Sequence, residues 1–462
     1  MPRMTVSTPA AGWPQQPIIL EINTWVWLDE LSRRHGRHVD LGTLTAADWD
    51  EVLLPGVDAV WLMGVWERSP VGAAIARTEP GVRAELAAAL ADLTDDDIVG
   101  SPYCIRAYTV DAHLGGDDGL AAARASLTRR GVRLLVDYVP NHVARDHDWV
   151  TDPRGLVITG DEQDVSERPG EFFAVDDRVV ALARDPYFPP WTDVAQLDAF
   201  SPALRAATVE TLRRIADRAD GVRCDMAMLM TTEVFARTWG ERAGAPPDDE
   251  FWPAIIAAVR TSAPDFLFVA EAYWGMEWPL LQQGFDYCYD KTLYDRLVEL
   301  RVDDVWDHLT ADLAYQRRVV RFLENHDEPR AASRLPAAAL EAAAAAVCTL
   351  PGAVLLYEGQ AEGRRQRPPV QLGRRPDEPV DQRLRAFYRT LLGRIADSGM
   401  RTGRWQLHAC DSRALAWSWH SDAQTVAVAV NLGDAPAAAP LHDTTVMLGP
   451  WEYRIDARSV GD

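Results

Sequence analysis

Three acidic residues close short apolar runs: Asp225 in Gly-Val-Arg-Cys-Asp, Glu271 in Phe-Val-Ala-Glu-Ala and Asp327 in Leu-Glu-Asn-His-Asp. A fourth run of the same form, Leu-Leu-Val-Asp-Tyr-Val-Pro-Asn-His, ends on Asn141 and His142. Such a run reads as a buried parallel strand whose carboxyl end opens onto a polar face. Arg223, two residues before Asp225, is placed to keep that carboxylate ionised, which suits a nucleophile. Taken alone, the same pair is more simply a strand-end ion pair that holds a loop. Glu271 follows an apolar strand and has Trp274 close behind it; a carboxyl against such walls has a raised pKa and suits a general acid. Its plainer reading is a glutamate at a helix N-terminus. His326 and Asp327 offer a hydrogen-bond donor and a stabiliser of positive charge, or a polar turn before a helix. His142 adds a second imidazole, or a structural histidine. Tyr103, in Gly-Ser-Pro-Tyr-Cys-Ile, is an aromatic platform or loop packing, and most of the 17 tryptophans are packing residues. No His-x-x-x-His pair or carboxylate cluster favours a metal.

Groups so far apart in sequence need a scaffold that gathers strand ends. Strand patterns fall at 17–23, 57–63, 133–138, 221–225, 266–271, 284–289, 319–323 and 353–357, the sixth being the weakest. Helical patterns lie between them, most clearly at 120–130, 202–218, 253–262 and 336–350, several opening on proline. Eight alternating units predict a parallel (β/α)8 TIM barrel with a short insertion domain after strand 3. The rival, an open doubly wound sheet, calls for a Gly-rich loop after its first strand, and none follows Ile22. Two connections, 64–119 and 143–201, are too long to be simple links and lie where this architecture keeps functional loops. Past about residue 400 the pattern turns to β-rich runs, predicting a small C-terminal β-sandwich domain. The expected organisation is a flexible lead at 1–16, a barrel from 17–142 and 202–400, an insertion at 143–201 and a sandwich at 401–462.

The chain has 462 residues, 47% hydrophobic and 25% charged, with a net charge of −22. That surface disfavours nucleic acid and anionic membranes as partners and leaves neutral substrates open. Cys104, Cys224, Cys288, Cys348 and Cys410 are scattered, odd in number and form no Cys-x-x-Cys pair, so neither a disulfide framework nor a zinc site is expected. With no signal-peptide core and no apolar segment of spanning length, the expected address is cytoplasmic.

Taken together and in this order, the motifs resemble the four conserved regions of the α-amylase superfamily, glycoside hydrolase family 13. Asp137 to His142 resembles the first region, Gly221 to Asp225 the second, Glu271 heads the third and Glu324 to Asp327 the fourth. The resemblance runs from about residue 18 to 360. It implies retaining chemistry on α-glucosidic bonds, which uses two carboxyls ~5–5.5 Å apart. Asp225 would be the nucleophile, Glu271 the acid/base and Asp327 the transition-state stabiliser. Arg223 would orient Asp225, His142 and His326 would bond sugar hydroxyls, Tyr103 would stack under the ring, and Asp137 would be structural. The implied partner is an α-glucan or α-glucoside. No cofactor is expected; the family's common calcium finds no convincing carboxylate set, and Asn141 is either a remnant of that site or structural.

Two features depart from the pattern. Met228 and Leu229 stand where many family amylases carry Lys-His, which predicts an apolar acceptor side and favours an α-glucan transglycosylase as the alternative to a hydrolase. The basic stretch from Gly363 to Arg375 reads as a charge run paired with local acids such as Glu362 and Asp377, or as an anion site near the pocket. A non-catalytic carbohydrate-binding relative is the third reading; all three carboxylates being present weighs against it.

Overall fold

The computed structural model describes residues 12–411 and 413–459. Eight parallel strands close into a barrel: β1 (Ile18–Asn23), β2 (Ala59–Met63), β3 (Arg133–Tyr138), β4 (Gly221–Cys224), β5 (Leu267–Ala270), β6 (Tyr287–Tyr289), β7 (Val319–Arg321) and β8 (Ala353–Tyr357). Each pairs with its sequence neighbours, and β1 closes on β8. All eight predicted strands are present, so the (β/α)8 reading holds.

Alternation along the strands explains both the core and the site. Ile19, Trp61, Leu135, Leu267, Val269, Tyr287, Val320 and Leu355 fill the barrel interior as one apolar cluster. The next inward positions towards the carboxyl ends are Glu21, Asp137, Arg223 and Glu271. A period of two therefore turns an apolar floor into a polar ceiling within one or two residues. Intervening side chains such as Leu20, Val136 and Val222 point outwards into the layer between sheet and helices. Gly221 is a packing necessity: a Cβ there would lie 2.7 Å from Leu135 Cδ2 and from Leu267 Cβ. Trp13 is buried at the barrel floor, donates its indole N–H to the Asp265 carbonyl at 2.9 Å and lies under Arg133. That tail of the expected lead is thus pinned, while residues 1–11 lie outside the described residues.

The connection after β3 carries small antiparallel pieces. His142–Ala144 pairs with Val194–Gln196, and Phe172–Val175 pairs with Arg178–Ala181. At the C-terminal end β9 (Arg404–His408), β10 (Ala414–His420), β11 (Gln424–Asn431) and β14 (Tyr453–Ser459) form a four-stranded antiparallel sheet, and β12 (Ala437–Leu441) pairs with β13 (Thr444–Leu448). This end docks on the barrel helix α1 (Leu340–Thr349): the indoles of Trp417 and Trp419 both donate to the Thr349 carbonyl, at 3.1 and 2.8 Å. The five cysteines are unpaired. Among the described residues no helix is long and apolar enough to cross a membrane.

Candidate active site

The strand-end motifs meet around one guanidinium. Arg223 points inwards from β4 and is 1% exposed. Its Nη1 donates to Asp225 Oδ1 at 2.6 Å; its Nη2 lies 2.8 Å from Glu271 Oε1 and 4.0 Å from Asp327 Oδ2. Rings of Trp61, Tyr103 and Tyr289 surround it, with centroids 5.2, 5.3 and 5.6 Å from the guanidinium carbon. A buried cation in this position is faced by aromatic surfaces, hydrogen-bonded to one carboxylate and ion-paired with a second.

Local backbone aims each acid. Asp225 leaves β4 with its N–H on the Tyr138 carbonyl at 2.9 Å. Met226 follows in the left-handed region at φ 42°, a conformation that costs a non-glycine residue about 1–3 kcal/mol. That turn points the Met226 N–H at Glu271 Oε2, 2.6 Å away, while the Tyr273 hydroxyl donates to Glu271 Oε1 at 2.8 Å. After β7, Asn325 Oδ1 accepts the N–H groups of Asp327 and Glu328 at 2.9 and 2.8 Å, which shapes the turn presenting Asp327. Glu324 braces the same turn from below through Arg330 at 2.7 Å and the Ala331 N–H at 2.6 Å.

The three carboxyls are held in different electrostatic states. Burial pushes Glu271 up to about 7, with Asp225 and Asp327 adding to the shift and Arg223 opposing it. Asp225 is raised by burial and by Asp327 against the pull of Arg223. Burial also works against ionisation of Asp327, but His326 and Arg223 outweigh it and hold that carboxyl at about 2. Asp327 is nonetheless 42% exposed, so it stands at the open side of the cluster. Asp137 is pushed up to about 7 by burial, and its Oδ2 accepts the Gly64 N–H at 2.8 Å beneath the site, as a structural residue would.

Tyr103 and His326 join the cluster: the Tyr103 hydroxyl is 2.7 Å from His326 Nε2 and the rings stack at 5.3 Å. His142 lies on the insertion side, 5% exposed, with its ring 5.2 Å from Trp191; burial holds it neutral, down to about 4. Asp225, Glu271, Asp327, Arg223, Tyr103 and His326 thus form one contact network, with His142 at its edge.

Several expectations change. Met228 and Leu229 are 0% and 2% exposed, so they pack in the core and do not line an acceptor surface. Trp274 is no wall of Glu271 either: at φ 60° it turns outward, 40% exposed, and meets the edge of Tyr187 at 4.8 Å. Tyr273 makes the contact expected of it. Four of the five arginines in the basic stretch are paired, with acids other than Glu362 and Asp377. Arg364 pairs with Glu30, Arg367 with Glu85, Arg374 with Asp97, and Arg375 with Glu30 and Glu358. Four arginines already committed to carboxylates make a poor anion site.

At the end of β3, Asn141 is held by an amide. Gln196, 0% exposed, donates its amide to the Asn141 backbone and side-chain oxygens, both at 3.0 Å, and to the Leu197 carbonyl at 2.9 Å. A neutral N–H donor thus lies among these three oxygens. Among the described residues no group of three or more His, Cys, Asp or Glu side chains forms a metal site.

Other contributors were not anticipated from the sequence: Glu21 and Tyr273 each touch a named site residue, and Gln196 holds Asn141. Glu21 carried a legible signal, an acid inside the otherwise apolar Ile-Ile-Leu-Glu-Ile, the same form as the other motifs. Tyr273 and Gln196 carried none, since the course of the chain past β5 and through the insertion chose them.

No family model matches the chain. An α-amylase, MalA, of Haloarcula japonica is 27% identical over 278 residues, covering 56% of this chain and 35% of that relative. The chain thus matches about a third of that curated relative's length. Among solved structures, the cyclic α-maltosyl-(1→6)-maltose hydrolase of Arthrobacter globiformis aligns with a TM-score of 0.70 at 19% identity, over 98% of this chain and 100% of that one. A debranching enzyme of Nostoc punctiforme aligns at 0.69 and 16%, over 98% and 99%. An α-amylase of Lactobacillus plantarum aligns at 0.66 and 18%, over 96% and 99%. These three alignments carry the fold, from the barrel through the C-terminal sheet.

Proposed function

We propose that the chain is a member of the α-amylase superfamily and a retaining α-glycoside hydrolase acting on α-glucosidic bonds of oligo- or polysaccharides. The observation that carries the reading is the bridge of Arg223 between Asp225 and Glu271, beside a third carboxylate held ionised. In the proposed reaction Asp225 attacks the anomeric carbon as its bond to the leaving oxygen breaks, and Glu271 gives that oxygen a proton. Water then attacks the glycosyl–Asp225 ester, with Glu271 taking the proton back. Glu271, which burial raises to about 7, carries the proton of the resting pair. Asp327, between His326 and Arg223, stays negative to stabilise the cationic transition state.

One observation favours glycosyl transfer as a second reading. Trp274, Tyr187 and Phe188, 40%, 57% and 66% exposed, offer aromatic surface on the chain just past Glu271 and on the insertion. A sugar acceptor held there would compete with water for the intermediate. Incubation with α-glucosides and a maltooligosaccharide series, followed by chromatography of all products, tests both. Shorter products alone mean hydrolysis, and longer ones mean transfer. Asp225→Asn should abolish either, and full activity in that variant would overturn the assignment.

A further inference from the structure

Glu21 sits at the carboxyl end of β1, 0% exposed, and its Oε1 is 2.5 Å from His326 Nδ1. The other ring nitrogen, Nε2, is 3.0 Å from Asp327 Oδ2. We propose that Glu21 is a positioning residue of the site, acting through His326 to fix Asp327.

An ionised carboxylate only accepts, so each ring nitrogen that faces one must carry a proton, and a ring with both protons is an imidazolium. A buried imidazolium is costly unless paired. Here it stands between two carboxylates, one from the first strand and one from the seventh strand's end. Burial opposes the charge, but Asp327 and Glu21 outweigh it and raise His326 to about 10. Remaining groups around the ring are consistent with this charge. Tyr103, from the connection after β2, has its hydroxyl 2.7 Å from Nε2, and Trp61 of β2 presents its ring edge-on at 5.5 Å. Asp137 of β3 and Asp225 beyond β4 feel the imidazole as a favourable positive charge. Two cations lie nearby: Arg223, 4.0 Å from Asp327, and Arg367, which donates to the His326 carbonyl at 3.3 Å. Without Glu21, the ring would share this site with two guanidinium groups and keep Asp327 as its sole contacting carboxylate. Its Nδ1 anchor would also be gone, leaving the ring oriented only by its packing and its Nε2 contacts. Glu21 touches neither of the proposed reacting carboxyls and is therefore a positioning residue, not a catalytic one.

Two readouts on the full-length protein test this. Nitrogen-15 NMR of histidine-labelled protein should show His326 with both nitrogens protonated from about pH 6 to 9, and Glu21→Gln should bring its titration into that window. The kinetic arm rests on the proposed function. On whichever α-glucoside the wild type cleaves, Glu21→Gln should lower kcat roughly 10- to 100-fold with a smaller change in KM. Glu21→Asp, which keeps the charge, should recover part of that loss. Wild-type kcat together with an unchanged His326 titration in Glu21→Gln would overturn the proposal. So would a wild-type His326 that is neutral at pH 7, a result that needs no variant to fold. A wild type inactive on every α-glucoside overturns the functional reading instead, while the NMR arm still decides the role of Glu21.

Discussion

At the residue scale, the site is a set of carboxyls made unequal by their neighbours. Glu271 is enclosed and raised to about 7, whereas Asp327 is flanked by positive charge and held at about 2. A raised carboxyl keeps its proton below its pKa and loses it above, so the proposed acid form of Glu271 is present at acidic to neutral pH. Accordingly kcat/KM should fall as pH rises through about 7. Glu271→Gln should remove that limb and lower kcat on unactivated glucosides by about 10²–10⁴-fold. An aryl glucoside with a good leaving group should lose less, because it needs less protonation. Steady-state pH profiles of both proteins check this, and an alkaline limb that persists in the variant would reassign the proton donor.

At the scale of elements, strand alternation and short turns set the aim of each acid. Arg223 and Glu271 were legible because a charge at an inward position ends an apolar run. Glu21 followed the same rule and was legible in principle. The outward turn of Trp274 and the burial of Met228 and Leu229 were not, since backbone direction past a strand end has no periodic signature. The joint between β3 and the insertion is likewise a matter of tertiary contact. Gln196 Nε2 sits among three oxygens in a position that another architecture could give to a cation. We therefore expect chelation with EDTA to leave the melting temperature of the purified protein unchanged. Gln196→Glu should cost roughly 1–3 kcal/mol in urea unfolding, because the carboxylate oxygen replacing Nε2 would face acceptors only. Added calcium should recover part of that loss. A wild type that melts several degrees lower in EDTA and recovers with calcium would show that a cation holds the joint.

At the scale of the molecule, the barrel is closed below by Trp13 and braced at one side by the C-terminal sheet. The brace concentrates on a single acceptor, the Thr349 carbonyl at the end of α1, which takes both the Trp417 and Trp419 indoles. Changing both to Phe keeps most of the apolar contact and leaves that buried carbonyl without its donors. Chemical denaturation should then show a loss of roughly 1–3 kcal/mol, whereas either single change should cost less, since one donor remains. Equal losses in the single and double variants would mean that only one indole matters.

The sequence by itself determined the eight strands, the closing order they imply and the acids at their ends. Those follow from local physics: a buried strand must be apolar, and a charge can stand only where it ends. Tertiary structure decided the partnerships. Glu21 and His326 are 305 residues apart and meet only because β1 and β7 each end at the same mouth of a closed barrel. Arg223 spans Asp225 and Glu271 because adjacent parallel strands place Arg223 level with Val269, two residues below Glu271. Pairing energies depend on distance and burial in space, which no spacing along the chain encodes.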